Sequence, residues 1–189
     1  GDGYSQEWAD EAERRGLPNV KDTPRALDAY VSKTSKHIFE EFGVMSPLEL
    51  EARNEIQLEN YILKIQIEAR LISEMSMAQV IPAAINYQNK LIQNARGLGE
   101  FGLDNSHIKS ILEKVNAQIV TIQKNVTAMN DVRGEINSIE DTRERAIAYC
   151  DQIKAAYFDV IRDAVDRLEG LIDDEDWPLL KYREMLFLR

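Results

Sequence analysis

A heptad-like pattern of apolar residues in the second half of the chain most strongly constrains its fold. Successive members are separated alternately by four and three positions. They are Ile108, Leu112, Val115, Ile119, Ile122, Val126 and Met129. This spacing puts every member on one side of an α-helix, as in the seam of a coiled coil. The pattern therefore predicts a long helix with one face buried against other helices.

Two further patterns predict long helices on either side of this one. The earlier pattern runs from the capping signal Ser46-Pro47 to about Arg96 and contains Pro82, which predicts a kink. The later pattern starts at Asp141-Thr142. Each helix is expected to bury an apolar stripe. The predicted stripes are Ile56, Leu63, Ile67, Leu71, Ala78, Ile81 and Ile85 in the earlier helix, and Cys150, Ile153, Tyr157, Ile161, Ala164, Leu168 and Leu171 in the later one.

The predicted fold class is all-α, with three long antiparallel helices in an up-down-up bundle over residues 46–172. Residues 1–45 are expected to form short helices joined by tight turns, with starts at Ser5 and Thr23 and a stop at Gly43. Residues 173–189 are expected to form an acidic loop and a short apolar helix. Composition agrees, since only 9 glycines and 5 prolines interrupt 189 residues.

Charge and composition exclude several classes of partner. The formal net charge is −10, which would repel a nucleic-acid backbone. No apolar run approaches the roughly 18 residues of a membrane-spanning helix. Cys150 is the only cysteine, so no internal disulfide can form. We expect a soluble, cytoplasmic protein that binds neither nucleic acid nor membrane. The opening Gly1-Asp2-Gly3-Tyr4 lacks an initiator Met and predicts a piece of a longer protein.

Motifs that resemble catalytic or binding sites lack the context that the chemistry needs. The string 97–102 matches G-x-G-x-x-G but follows a helix instead of a strand, and therefore predicts an interhelix turn or hinge. A di-iron centre needs Glu three residues before His, but Thr34 precedes His37 and Asp104 precedes His107 in this way. The acidic run 173–176 is expected to be a solvated linker. We predict no catalytic, cofactor-binding or metal-binding residue in this chain.

Aromatic and apolar residues near the two ends are candidates for contacts with a partner. Trp and Tyr are favoured at protein interfaces, but a Trp in a short terminal helix is equally consistent with a core position. Both interpretations stay open for these residues. The candidate interface residues are Trp8, Trp177, Tyr182, Met185 and Phe187.

Several stretches resemble the C-terminal region of type III glutamine synthetases, the long bacterial form. The resemblance rests on the segments 2–8 and 11–19, on the helix start 49–61, on Ile81-Pro82-Ala83, and on the terminal Trp177-Pro178 through Met185-Leu186-Phe187. Leu179-Leu180-Lys181 departs from the family's pattern within that terminal motif.

This resemblance implies a parent enzyme that joins ammonia to glutamate, with ATP and divalent Mg or Mn as cofactors. The family's catalytic motifs lie in an upstream domain, and none of them maps onto this chain. Residues 1–45 would link to that catalytic domain. The resemblance also implies a homo-oligomer of stacked hexameric rings, in which the helical region would serve subunit or ring contacts.

Two other hypotheses remain from the residues alone. The chain could be a stand-alone helical module that receives a partner helix in an exposed apolar stripe. It could also be an enzyme with a carboxylate metal site within its bundle, which stoichiometric metal binding would indicate.

Overall fold

The computed structural model describes residues 5–186, except for the side chains of residues 182 and 183. The described part contains helices and no strand, so the predicted all-α class is confirmed. The α-helices are α1 (Gln6–Arg14), α2 (Thr23–Ala26), α3 (Lys33–Glu41), α4 (Pro47–Met75), α5 (Ile81–Glu100), α6 (Ser106–Ile136), α7 (Thr142–Ala148), α8 (Asp159–Glu169) and α9 (Tyr182–Met185). A 3-10 turn spans Leu27–Ala29, and π-helical segments span Ser76–Val80 and Tyr149–Phe158.

The chain divides into two compact units. The first unit comprises residues up to Lys64 together with Ile139–Cys150, and the second comprises Ile65–Ser138 together with residues from Asp151 onward. The chain passes from one unit to the other three times: within α4, between α6 and α7, and within the second π-helical segment.

Helix starts in the first unit follow the capping signals of the sequence. The hydroxyl of Ser5 accepts the Trp8 N–H at 3.3 Å, which caps α1. Ser46 and Glu49 form a reciprocal capping box before α4, because the Ser46 N–H donates to the Glu49 carboxylate at 2.8 Å and the Glu49 N–H donates to the Ser46 hydroxyl at 3.3 Å. The cap of α2 is Asp22, one residue earlier than predicted.

An ion pair ties two segments of the first unit that are far apart in sequence. The guanidinium of Arg143, in α7, donates to both carboxylate oxygens of Asp28, each at 2.6 Å. Asp28 lies in the 3-10 turn after α2, and α2 packs against α7. The hydrogen bond from Arg143 lowers the pKa of Asp28 below its ordinary value.

In the second unit, α6 packs against α5 and α8, and its predicted seam is buried. Of the seven seam residues only Leu112 is half-buried, and the other six are buried. Three side-chain hydrogen bonds join residues of α4 and α5 to residues of α6 or its C-terminal end. They run in antiparallel order, because the partner in α6 has a lower residue number as the residue number in α4 and α5 rises. They join Gln66 to Asn137 at 3.0 Å, Ser73 to Asn130 at 3.3 Å and Gln88 to Asn116 at 3.4 Å. The up-down-up order of three long helices stays a prediction.

The predicted kink at Pro82 is confirmed, and a π-helical turn accompanies it. The Ile81 N–H donates to the Ser76 carbonyl, five residues earlier, at the end of this turn. Proline has no N–H, and its ring clashes with the carbonyl four residues before it in a regular α-helix. The wider turn just before Pro82 gives that ring more room within a continuous helix.

A second, longer π-helical segment was not predicted. It covers Tyr149–Phe158, and it buries Tyr149 and Ile153 completely. Because the hydrogen bonds shift to five-residue spacing, the buried face no longer follows the α-helical period on both sides of the segment. The predicted stripe is therefore partly wrong: Tyr157 and Leu171 are only half-buried, and Ile172 is buried in place of Leu171.

The stripe predicted for the first long helix is wrong except at Ile81, which is buried, because its first four members are exposed. Their side chains are each 52–55% exposed, and Ala78 and Ile85 are exposed as well. The residues of α4 that are buried instead are Leu50, Leu58, Ile62, Ile65 and Ala69. Apolar residues recur at helical spacing on two sides of this helix, so the spacing alone does not tell which side is buried.

The predicted turn at 97–102 begins later than expected. Helix α5 continues through Gly97 and Gly99 to Glu100, and the turn starts at Phe101. Gly102 has a φ of +70°, a conformation that favours glycine after a helix end. The Asn105 amide donates to the Ala95 carbonyl at 2.9 Å and connects the two sides of the turn.

Candidate assembly surfaces

The described residues hold no set of side chains suited to a metal. Within residues 5–186, no group of three or more His, Cys, Asp or Glu side chains is placed to hold an ion. None of the helices in the described part is long and apolar enough to cross a membrane.

The acidic run 173–176 is solvent-exposed at its first three residues, as predicted, but two of its side chains are hydrogen-bonded within the second unit. The Lys90 ammonium, on α5, donates to both Asp176 oxygens at 2.7 and 2.6 Å. Lys181 donates to Asp174 at 2.5 Å and to the Glu169 carbonyl at the end of α8 at 3.1 Å. The hydrogen bond to Asp176 raises the pKa of Lys90. Between these contacts Trp177 is buried, at 8% exposure.

The predicted interface residues lie in different environments. Trp8, in the first unit, is 41% exposed, and the Arg15 guanidinium lies 5.9 Å from its ring centre. In the second unit Trp177 is buried and Met185 is 50% exposed. The Tyr182 side chain and Phe187 lie outside the described residues. An interface role for these five residues stays a prediction. Trp177 has little exposed surface that could contact a partner.

Four exposed apolar residues of α4 lie on one side of the helix, which we call the outer face of α4. It consists of Ile56, Leu63, Ile67 and Leu71. Between Ile56 and Leu63 this side also carries the exposed polar residue Asn60. Steps of seven, four and four residues keep these side chains on one side of the helix. The buried residues Leu58, Ile62, Ile65 and Ala69 occupy the other side. Since α4 is one unbroken helix, these positions around its own axis follow from helix geometry, and the outer face extends roughly 22 Å.

An exposed apolar row of this length differs from an isolated exposed residue. Val120 on α6 is also 53% exposed, but no other large apolar residue of that helix is exposed. Single exposed apolar residues are ordinary, whereas contiguous apolar surface marks sites of interaction. A helix that is apolar on both sides is typical of one buried on both sides. The outer face is the strongest candidate for a contact surface.

The second unit also contains an open groove of about 500 Å³. Its walls are mainly apolar and include Met75, Val80, Ile161 and Val165. Its rim carries charged residues of α8, among them Arg162, whose guanidinium lies 3.6 Å from Asp166. This arrangement can seat apolar side chains.

Known proteins match both the short-helix region and the long helices. The family described as "Glutamine synthetase C-terminal domain" matches residues 1–98. A glutamine synthetase of Bacteroides fragilis is 36% identical over 195 aligned positions, which cover 100% of this chain and 27% of that protein. A type-3 glutamine synthetase of Dictyostelium discoideum is 33% identical, over 100% of this chain and 26% of its own length. A glutamine synthetase of Butyrivibrio fibrisolvens is 30% identical, over 99% of this chain and 27% of its own length.

These matches agree with the resemblance of segments 2–19 and 49–61, which lie within the matched region. The chain spans about a quarter of the length of the curated relatives that it matches. A family match over more than half of the chain shows membership, and the all-α fold is compatible with it. This chain belongs to the glutamine synthetase C-terminal domain family.

Proposed function

We propose that this chain is a non-catalytic helical region of a glutamine synthetase and serves the assembly of its subunits. The observation that carries the proposal is the outer face of α4, where four half-exposed apolar side chains lie opposite a buried face. A surface of this kind is stabilised when a partner covers it, at roughly 25 cal/mol for each Å² of apolar area removed from water.

The parent protein is proposed to join ammonia to glutamate with ATP and divalent Mg or Mn, in the cytoplasm. The support is the similarity to proteins named glutamine synthetase, of which this chain covers about a quarter. Residues 1–45 would connect the helices to an upstream catalytic domain. The subunits would form stacked hexameric rings, and the bundle, residues 46–172, would contribute contacts within or between them.

The alternative is a stand-alone interaction module, which the same exposed face of α4 would also suit. The two hypotheses differ in what precedes this chain. Glutamine formation by the full-length protein, dependent on ATP and ammonia, would support the hypothesis that this chain is a region of a glutamine synthetase. A folded full-length protein that forms no glutamine with metal supplied would favour the module.

Deletion of residues 46–172 from the full-length protein tests the assembly role. Native mass spectrometry of the intact and shortened proteins should give oligomers with different numbers of subunits. Circular dichroism of the shortened protein serves as the control for folding. An unchanged subunit number in a folded, shortened protein would contradict the proposal.

A further inference from the structure

We infer that the outer face of α4 packs against the same face of a second copy of this chain, with the two helices antiparallel. The inference rests on the proposed assembly role and names the partner for that surface. It depends on how charges flank the apolar row, in addition to the row itself.

Two charged residues along one flank of the outer face have opposite signs toward its two ends. Glu59 and Arg70 are eleven residues apart, so helix geometry puts them on nearly the same side of α4, along one flank of the apolar row. Glu59 lies toward the N-terminal end of the row and Arg70 toward its C-terminal end. Both side chains are exposed, and among residues 5–186 neither has an ion pair or hydrogen bond that would occupy it.

An antiparallel copy of α4 makes this pattern complementary to itself. In a two-fold contact, if one residue meets a second, then the second residue also meets the copy of the first. Ile56 and Leu71 lie at similar distances on either side of residue 64, and so do Glu59 and Arg70. A two-fold axis near residue 64 therefore puts Ile56 against Leu71 and Glu59 against Arg70, twice each.

Other registers lose this agreement. In a parallel copy in register the two-fold axis runs along the helices, so the flank with Glu59 and Arg70 lies on opposite sides of the contact in the two copies and these charges do not pair. Lys64 lies near the proposed axis, where its flexible stem can carry the ammonium outward into water. One helix pair covers less area than the roughly 1,200–2,000 Å² of a standard stable interface, so the contact would act together with others in the assembled oligomer.

Charge reversal in the assembled full-length protein tests the pairing. Glu59→Arg or Arg70→Glu alone creates like-charge pairs, and each should raise the concentration at which the oligomer dissociates by about tenfold. The double variant, Glu59→Arg with Arg70→Glu, restores both pairs with their signs exchanged and should return dissociation to the original concentration. Mass photometry over a dilution series measures this.

Rescue by the double variant separates pairing from a structural effect of either residue. If both single variants dissociate like the original protein, or if the double variant is weaker than either of them, the antiparallel contact is wrong. The deletion of residues 46–172 tells the two proposals apart. A change in subunit number on deletion, without any effect of charge reversal, would overturn this pairing and leave the assembly role standing.

Discussion

Leu63 and Ile65 lie on opposite sides of α4, with Leu63 53% exposed and Ile65 only 4% exposed. Two residues along a helix correspond to a rotation of about 200°, so these neighbours in sequence face different surroundings. The Ile65 side chain contributes to the core of this chain, whereas the Leu63 side chain is available to a partner.

Truncation of these two side chains should therefore have unequal effects on stability. Ile65→Ala removes buried methyl groups and should lower the free energy of unfolding by about 2–5 kcal/mol. Leu63→Ala should lower it by less than about 1 kcal/mol, because the side chain is already half exposed. Urea denaturation of both variants measures the difference. Equal losses would contradict the assignment of the two sides of α4.

The glycines of the 97–102 string should respond to alanine with opposite signs. Gly97 lies inside α5, and a Cβ there would meet nothing within 4 Å. Gly97→Ala should therefore stabilise the protein by roughly 0.5–1 kcal/mol. Gly102 has a φ of +70°, so Gly102→Ala should cost about 1 kcal/mol. Thermal denaturation distinguishes these outcomes, and stabilisation at both positions would contradict the position of the turn.

The Asp28–Arg143 ion pair should contribute stability that disappears in acid. The pKa of Asp28 is lowered below its ordinary value of 3.8, so its contribution is fully present above that value and is lost as the pH falls through the lowered pKa. Asp28→Asn should cost roughly 0.5–1 kcal/mol at about pH 7, and this cost should shrink as the pH falls below 3.8 toward the lowered pKa.

Thermal midpoints of the Asp28→Asn variant across this pH range measure the effect. Asp163→Asn is the matched control, because Asp163 is exposed and its side chain makes no ion pair or hydrogen bond with the described residues. A loss on Asp28→Asn that stays constant from neutral to acid pH would show that the charge of Asp28 is not its source.

Release of Lys90 from Asp176 should loosen the segment that holds Trp177. In a Trp8→Phe background Trp177 is the only tryptophan, and Lys90→Gln should shift its emission to longer wavelength as water reaches the ring. The pKa of Lys90 is raised, so the charged contact is fully present below the ordinary lysine value and is lost as the pH rises through the raised pKa.

Lys124→Gln is the control for this experiment, since Lys124 is exposed on α6 and, in the described part of the chain, makes no ion pair. Its emission should match that of the Trp8→Phe parent. Identical spectra for Lys90→Gln and Lys124→Gln would mean that the lysine does not hold the segment.

The sequence predicted best those features that depend on a single local pattern. The α6 seam was predicted correctly because only one face of that helix carries a sustained apolar row. The capping box of Ser46 and Glu49 could likewise be predicted from the sequence, since its partners are three residues apart. The kink at Pro82 follows from the covalent structure of proline.

Features that depend on distant contacts could not be predicted in the same way. Which side of α4 is buried depends on the residues that pack against it. The apolar character of α4 itself does not decide this, because Ile62 and Leu63 are equally apolar. Asp176 is hydrogen-bonded to Lys90, which lies 86 residues earlier in the sequence, and a local spacing pattern cannot predict such a contact. The long π-helical segment at 149–158 contains no proline or glycine from which it could be predicted.

The outer face of α4 as an assembly contact is tested most directly by the double variant Leu63→Asp, Ile67→Asp in the full-length protein. Val120→Asp is the matched control, because Val120 is as exposed as Leu63 but stands alone on α6. Native mass spectrometry should show smaller oligomers for the double variant and an unchanged oligomer for Val120→Asp. An intact oligomer in the double variant, folded to the same helical content, would contradict the account.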